Sequence, residues 1–184
     1  MTAGSGERRI VVTGAASEIG RDIATRMAAD GHRVLINDLD PVALHELAHQ
    51  IGAIAAPGDA DLVDIAVEWL GGVDVWIGTS GSAAGQGLET SDDAWSDMWA
   101  DAVMAHVRAA RDLAPRWAAD GSNGLLVVVP PAGDLPAEVA AGAVGAFTRW
   151  LDDAHRDSGV SAHTIRPIGG RSVADDVAAL VTKR

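Results

Sequence analysis

The chain has 184 residues, a length that fits one domain. Hydrophobic residues make up 48% of it, enough for a buried core, and the net charge of -12 repels nucleic-acid backbones and anionic lipid. The absence of cysteine excludes disulfides and thiolate metal sites.

The beginning of the chain is polar and rich in glycine, and it lacks an apolar core like that of a signal peptide. No apolar run approaches the roughly 20 residues that a membrane-spanning helix needs. We therefore expect a soluble cytoplasmic protein with one domain over residues 1–184 and a flexible segment at residues 1–8.

The first half of the chain alternates short apolar strands with helices. A β-branched run predicts the first strand at residues 9–13, and apolar residues at helical spacing predict a helix over 19–29. Asp40 and Pro41 predict the start of a second helix, with Asp as the N-cap and Pro in the first turn. Further strands are predicted at 34–36, 53–56 and 73–77.

The second half continues the same alternation. It is predicted to contain a helix over 94–117, a strand at 124–129, a helix over 138–155, a strand at 160–165 and a helix over 173–181. Strands that are apolar throughout and alternate with helices indicate a parallel sheet covered on both faces. The predicted fold is α/β, a single Rossmann-like doubly wound parallel sheet of about six strands.

A glycine-rich turn joins the first strand to the first helix, with the sequence Thr-Gly-Ala-Ala-Ser-Glu-Ile-Gly over residues 13–20. Such a turn lets backbone N–H groups and the helix N-terminus approach a pyrophosphate. Asp38 ends the second strand about 20 residues later, where a carboxylate accepts from a ribose 2′-OH. This carboxylate would repel a 2′-phosphate and so favours NAD over NADP.

The turn resembles the TGxxxGxG turn of short-chain dehydrogenases/reductases, a Rossmann-fold family of NAD(P)-dependent enzymes. Four later segments extend the resemblance. Residues 58–60 are similar to the stretch whose Asp touches adenine, 78–81 to the NNAG turn, 145–149 to the fifth major helix, and 167–169 to the PG turn. The resemblance implies a set of cofactor-binding residues: Gly14, Ser17, Ile19, Gly20, Asp38, Asp59, Ala60 and Gly81.

One residue of the turn departs from the family pattern. Glu18 stands where the family has its middle glycine, adding bulk and a charge of the same sign as a diphosphate. Like charges in a partly desolvated site cost a few kcal/mol, or more than tenfold in affinity. NAD binding is therefore expected to be weak or lost, unless Arg21 pairs with Glu18. The alternative is that the turn only connects strand to helix.

The resemblance also implies a Tyr that acts as general acid/base and a Lys four residues later that lowers its pKa. Anchoring on Phe147 and Arg149 places the Tyr position at Ala137 and the Lys position at Ala141. The chain contains no tyrosine, and its one lysine is Lys183. No shift of register restores the pair.

The two other catalytic positions of the family are also replaced. The Ser position falls on Pro130 or Pro131, and neither proline offers a hydroxyl or a backbone N–H. Anchoring on Trp95 and Pro115 places the Asn position at Ala102. We assign no catalytic residue, and we do not expect hydride transfer of the family type from this chain alone.

Other polar groups offer alternative chemistry. His106 lies one turn after Ala102 and could act as a base. His45 and His49 lie one turn apart, but no third metal ligand is apparent, so we predict no metal site. Thr79, Ser80, Ser82 and Asp74 are predicted to cluster at the carboxyl end of the fourth strand, where turn roles explain them better than catalysis does. Adjacent carboxylates such as Asp92 and Asp93 do not face each other on a helix.

The C-terminal part is short for the family. Two residues separate the region of the PG turn from the next helix, so the final strand and the substrate lid are expected to be missing. The two long helices are kept, and in family oligomers they pack into a four-helix bundle. They carry four of the six tryptophans. Tryptophan is enriched in interface hot spots but also fills ordinary cores, so the residue type favours the two interpretations about equally.

These observations favour a catalytically inactive subunit that assembles, as a homo- or hetero-oligomer, with an active NAD-dependent short-chain dehydrogenase. One alternative is a repurposed enzyme that performs non-redox chemistry, such as isomerisation, dehydration or cyclisation. Another is an NAD(H)-binding protein, either a sensor or one with a residual oxidoreductase role. No nucleic-acid or membrane partner is expected.

Overall fold

The computed structural model describes residues 6–58, 61–79, 87–167 and 171–183. Six strands form one sheet in the order β3-β2-β1-β4-β5-β6, with helices on both faces, which confirms the predicted fold class. The pairs β1/β2, β2/β3 and β5/β6 are parallel. The strands are β1 (Arg9–Thr13), β2 (Arg33–Asp38), β3 (Ile54–Pro57), β4 (Val75–Gly78), β5 (Leu125–Val128) and β6 (Ser161–Thr164).

The described ranges contain seven α-helices, most of which begin at the residues that sequence chemistry predicts. Asp40 caps the second helix by accepting from the backbone N–H groups of Val42 and Ala43, and Pro41 lies in its first turn, as expected. The helices are α1 (Glu18–Ala29), α2 (Pro41–Ile51), α3 (Leu62–Leu70), α4 (Asp92–Trp99), α5 (Ala105–Asp120), α6 (Leu135–His155) and α7 (Val173–Thr182).

Helix α3 was not predicted from the sequence. Its buried residues Val63, Ala66 and Leu70 have helical spacing, so the periodicity was present in the sequence. The segment is only nine residues long, and Asp61 before it has a left-handed backbone with φ of 51° and no side-chain capping bond. A short helix without a capping signature is hard to recognise.

The long helix predicted over 94–117 spans Asp92–Asp120 and changes its winding in the middle. A π-helical segment, Ala100–Met104, joins α4 to α5. Helix α6 packs against this segment and against α4. A π-helical turn inside an α-helix is rare and often marks a functional position, and here it contains Ala102, the position that the family resemblance assigns to Asn.

Internal contacts divide the chain into two compact units, residues 1–77 with 168–184, and residues 78–167. The first has a core of branched strand residues, such as Val11 and Leu35, with Ile23 of α1. In the second, Leu113 and the strand β5 are fully buried. The single-domain assignment stays a prediction, and residues 1–5 of the proposed flexible segment lie outside the described residues. No helix in the described ranges is long and apolar enough to cross a membrane.

Candidate nucleotide-binding site

The glycine-rich turn depends on two glycines for different reasons. Gly14 has a φ of 71°, in the left-handed region that side chains disfavour. Gly20 is buried in the first turn of α1, and a Cβ there would overlap the carbonyl oxygen of Gly14 and approach the Cα of Ala15 to 2.9 Å. Both groups are backbone and cannot swing aside, so the turn requires glycine at both positions.

Most backbone N–H groups of the turn are satisfied within the chain. Ser17 is the N-cap of α1: its Oγ accepts from the N–H of Gly20 at 3.1 Å and donates to the carbonyl of Gly14 at 2.7 Å. The N–H of Ala15 donates to the carbonyl of Asn37. By contrast, the N–H groups of Glu18 and Ile19 have no acceptor in the described part of the chain.

These two groups open helix α1, where the helix dipole and unpaired donors favour an anion. The backbone of the turn therefore offers donors suited to a diphosphate, and the cofactor-binding role of Ile19 stays a prediction.

Asp38 lies beside the turn as predicted, but its carboxylate is already used by the chain. One oxygen accepts from the N–H of Ala16 at 2.9 Å. The other accepts from the N–H groups of Leu39 at 2.7 Å and Asp40 at 3.2 Å. A carboxylate has about four acceptor sites, so about one remains for a ribose hydroxyl.

Asn37 was not singled out from the sequence, although it is a buried polar residue directly after the apolar run 34–36 of β2. Its side-chain amide donates to the carbonyls of Ala56 at 2.7 Å and Gly58 at 2.6 Å. The N–H of Gly58 in turn donates to the carbonyl of Asp38 at 3.1 Å. These bonds fix the chain that leads from β3 towards the predicted adenine-contacting residues.

Three predicted cofactor-binding residues, Asp59, Ala60 and Gly81, lie outside the described residues. Ser80 and Ser82 do so as well.

Glu18 is the feature that opposes a diphosphate. It is exposed at the first position of α1, where a carboxylate itself interacts favourably with the helix dipole. Within the described residues it forms no ion pair with Arg21, so that interaction does not offset its charge. The turn thus combines a backbone suited to an anion with an exposed negative side chain at the start of α1.

The four positions that would carry the family's catalytic groups are buried. Ala102 and Ala137 are fully buried and Ala141 nearly so; of the two candidates for the Ser position, Pro130 is buried and Pro131 is half-buried. Small apolar side chains at these places support packing and offer no group for proton transfer.

His106, the alternative base, is 1% exposed, and its ring lies over Gly78 at the end of β4. A Cβ at Gly78 would overlap the imidazole, so this glycine gives the ring its space. Its ring is therefore almost closed to solvent, and its role as a base stays a prediction.

Asp74 does not lie where the sequence suggested. It precedes β4, at the amino end of the strand rather than the carboxyl end, and it binds Arg9. Its carboxylate accepts from the backbone N–H of Arg9 at 2.8 Å and from Nε of the same residue at 3.0 Å. Burial alone would raise the pKa of Asp74, but the hydrogen bonds and charge of Arg9 hold it below the ordinary value. The residue therefore has a structural role.

The described residues include no group of three His, Asp or Glu side chains that could hold a metal ion. His45 and His49 are both exposed on α2, and His45 Nδ1 contacts the carbonyl of Pro41 at 2.5 Å.

The strand order, the glycine turn opening α1 and the acid at the end of β2 define a dinucleotide-binding type of α/β fold. Residues 8–174 match the family model of the short chain dehydrogenases. The chain belongs to this family.

Relatives and solved structures agree with that assignment. The chain is 44% identical over 87 residues to the short-chain dehydrogenase/reductase eriH of Hericium erinaceus, which covers 39% of this chain and 34% of that protein. It is 29% identical over 140 residues, 69% of this chain and 56% of the relative, to a Streptomyces violaceoruber protein whose name describes it as ketoacyl reductase 2 of the granaticin polyketide synthase. It thus spans between a third and just over half of the length of these relatives.

A metagenomic short-chain oxidoreductase in complex with NADP has a TM-score of 0.87 at 22% identity, covering 98% of this chain and 93% of the other. A short-chain dehydrogenase from Streptomyces avermitilis has a TM-score of 0.82 at 22% identity, covering 91% of this chain and 68% of the other. At this level of identity the likeness shows the fold.

Proposed function

We propose that this chain is a catalytically inactive subunit that assembles with an active NAD-dependent short-chain dehydrogenase. Its two long helices, the continuous helix Asp92–Asp120 and α6, form the association surface. The loss of all four catalytic groups supports inactivity, because no tyrosine exists anywhere in the chain to exchange a proton with a substrate.

The observation that carries the association is an apolar stripe on α6. Its members are spaced at three or four residues, so they lie on one face of the helix, and all are exposed. Trp150 is 63% exposed and Val139 42% exposed. The stripe consists of Leu135, Val139, Gly142, Ala146 and Trp150.

The stripe is suited to packing against another helix, because it has a small residue at its centre and large apolar side chains at its ends. Nothing lies within 4 Å of the position that a Cβ on Gly142 would take, so another helix can approach its backbone closely. Large side chains flank this small centre, and Trp is the residue type most enriched in interface hot spots. By contrast, Trp117 of α5 is buried against Gly124 and belongs to the core.

Co-expression with a dehydrogenase of the family that carries the intact Tyr and Lys pair tests the proposal. We expect the two chains to co-purify, and we expect Trp150→Ala to weaken the complex by tenfold or more, as hot-spot truncations do. Trp69 on α3 is 45% exposed and lies off the long helices, which makes Trp69→Ala a matched control.

Two results would contradict the proposal. One is a chain that stays unbound with every such dehydrogenase tested; the other is equal weakening by the two tryptophan substitutions. Reduction of a carbonyl substrate by the isolated chain with NADH or NADPH would contradict its inactivity.

A second candidate, a dinucleotide-binding protein without turnover, is favoured by the unpaired N–H groups of Glu18 and Ile19 and the remaining acceptor site of Asp38. Bound dinucleotide would supply a nicotinamide ring and occupy the turn, with Asp38 selecting the form without a 2′-phosphate. Calorimetric titration with NAD+, NADH and their 2′-phosphorylated counterparts tests it. Micromolar binding of the unphosphorylated forms supports this candidate, and no binding at millimolar ligand rules it out.

A further inference from the structure

Strand β6 lies at the end of the sheet order, so one of its edges has no neighbouring strand among the described residues. The N–H groups of Ser161 and Ile165 both donate to carbonyls on the side of β5. Because successive N–H groups of a strand point to opposite sides, those of Ala162 and Thr164 point away from β5. An open edge of this kind is a template on which another chain can add a strand.

The outward N–H of Ala162 is satisfied by a side chain of helix α6. One carboxylate oxygen of Asp152 accepts from it at 3.2 Å. Helix α6 packs along β6, and the hydroxyls of Thr148 and Thr164 are 2.8 Å apart, which holds the helix beside the strand. The carboxylate of Asp152 therefore occupies the position from which a carbonyl of a further strand would accept.

The helix itself does not explain an acid at this place. Asp152 lies in the last turn of α6, where the helix dipole favours bases. An ion pair with Arg156 does not explain it either, because the neighbouring Asp153 approaches the same guanidinium at 2.6 Å, whereas Asp152 lies 3.9 Å from it. Contact with the strand edge distinguishes the two acids, since Asp153 is exposed and has no bond with β6 in the described part of the chain.

We infer that Asp152 blocks strand addition at the edge of β6: by capping the outward N–H of Ala162, it prevents a second copy of the chain from pairing a strand there. A strand added on this edge would have to supply a backbone carbonyl to Ala162 and displace the carboxylate. The block covers the first half of the edge. Ala162 is buried, whereas Thr164 is half-buried and its N–H has no acceptor among the described residues.

This inference does not depend on the helical association proposed above, because it concerns backbone groups of β6 and not the exposed stripe of α6. It makes the edge of the sheet, and not the helices, the surface through which copies associate when the cap is removed.

Hydrogen exchange of two amides tests the cap in the unaltered full chain. After correction for their intrinsic rates, the amide of Ala162 is expected to exchange about tenfold or more slowly than that of Thr164, since hydrogen bonds to charged groups are the stronger ones. Equal protection of the two amides would overturn the inference. This measurement needs no substitution, so it does not depend on the folding of a variant.

Replacement of the acid tests the block itself. In dilute Asp152→Ala, the amide of Ala162 is expected to exchange about tenfold faster than in wild type. In concentrated Asp152→Ala, the amides of Ala162 and Thr164 are both expected to gain protection, because a second copy adds a strand, and sedimentation should show a larger species than in wild type. Association through α6 would protect neither amide.

Two further variants separate the hydrogen bond from the charge. Asp152→Asn keeps an acceptor oxygen and is expected to behave as wild type. Asp153→Ala is the matched control, because it removes an acid that pairs with the same arginine and leaves the edge capped. The inference is overturned if Thr164 gains no protection in concentrated, folded Asp152→Ala. It is also overturned if Asp152→Asn or Asp153→Ala opens the edge as Asp152→Ala does, since the loss of charge would then be the cause.

Discussion

At the scale of single residues, the glycine turn tolerates few substitutions. Gly20 lies directly against the carbonyl of Gly14, and Ser17 ties the two together through its hydroxyl. Because the neighbouring atoms are backbone, the turn cannot relax around a larger residue without shifting the start of α1.

We therefore expect Gly20→Ala to lower the free energy of unfolding by about 1–3 kcal/mol, the usual range for overpacking. Gly145→Ala in α6 is the matched control, because its new Cβ would meet only the tip of Arg149 at 3.5 Å. The control should be neutral or stabilise by about 0.5–1 kcal/mol. Urea unfolding measures both, and equal effects would contradict the close approach at Gly20.

We expect the side chain at position 18 to determine whether the glycine turn binds or repels a dinucleotide. Replacing it by Gly removes both the charge and the bulk and leaves the N–H groups of residues 18 and 19 in place. We expect Glu18→Gly to raise the affinity for NAD+ about tenfold or more, since an uncompensated like charge costs a few kcal/mol.

Glu18→Gln keeps the bulk and removes the charge. Calorimetric titration of both variants with NAD+ therefore shows how much of the lost affinity comes from the charge and how much from the bulk. Glu46→Gln on α2 serves as the control for net charge. If Glu18→Gly binds no better than wild type, the obstruction lies elsewhere, and the carboxylate of Asp38 bound to Ala16 would be the next candidate.

At the scale of elements, the amino ends of β1 and β4 are joined by Arg9 and Asp74. The guanidinium of Arg9 binds both carboxylate oxygens and also donates to the carbonyl of Gly71. Because the pKa of Asp74 is lower in the folded chain than its ordinary value of 3.8, the folded state holds its proton less tightly than the unfolded state does. The stabilisation is present above about pH 3.8 and is lost as the pH falls through the lower, folded-state pKa.

Asp74→Asn is expected to lower the free energy of unfolding at pH 7 by about 1–3 kcal/mol, the range for hydrogen bonds to charged groups. It should also flatten the loss of stability below pH 4. Denaturant titrations at pH 7 and pH 3 measure both effects, with the exposed Asp157→Asn as the control. An acid dependence that is unchanged in Asp74→Asn would show that other carboxylates control it.

At the scale of the whole molecule, the net charge of -12 sets the conditions under which copies approach each other. The charges balance near the sequence pI of about 4.7. We expect a solubility minimum near that pH and high solubility at pH 7, because repulsion between copies vanishes as the net charge does. Light scattering across pH 4–7 measures this, and a minimum near neutrality would indicate that apolar patches, not charge, govern aggregation.

The sequence by itself determined the fold class, the family and the absence of its catalytic side chains. Strand and helix periodicity is local, and a glycine turn followed by an acid at the end of β2 is a pattern within 25 residues of chain. The absence of tyrosine is a fact of composition that no folding can change. Capping also followed from local chemistry, as Asp40 and Pro41 show.

Only the tertiary structure decided which groups are in use and which are exposed. The carboxylate of Asp38 accepts a hydrogen bond from the N–H of Ala16, 22 residues away, and Arg9 binds Asp74, 65 residues away. Trp117 is buried while Trp150 is exposed, although both lie on long helices. The physical reason is that hydrogen-bond partners and burial depend on segments distant in sequence, whereas periodicity and turn chemistry depend on near neighbours.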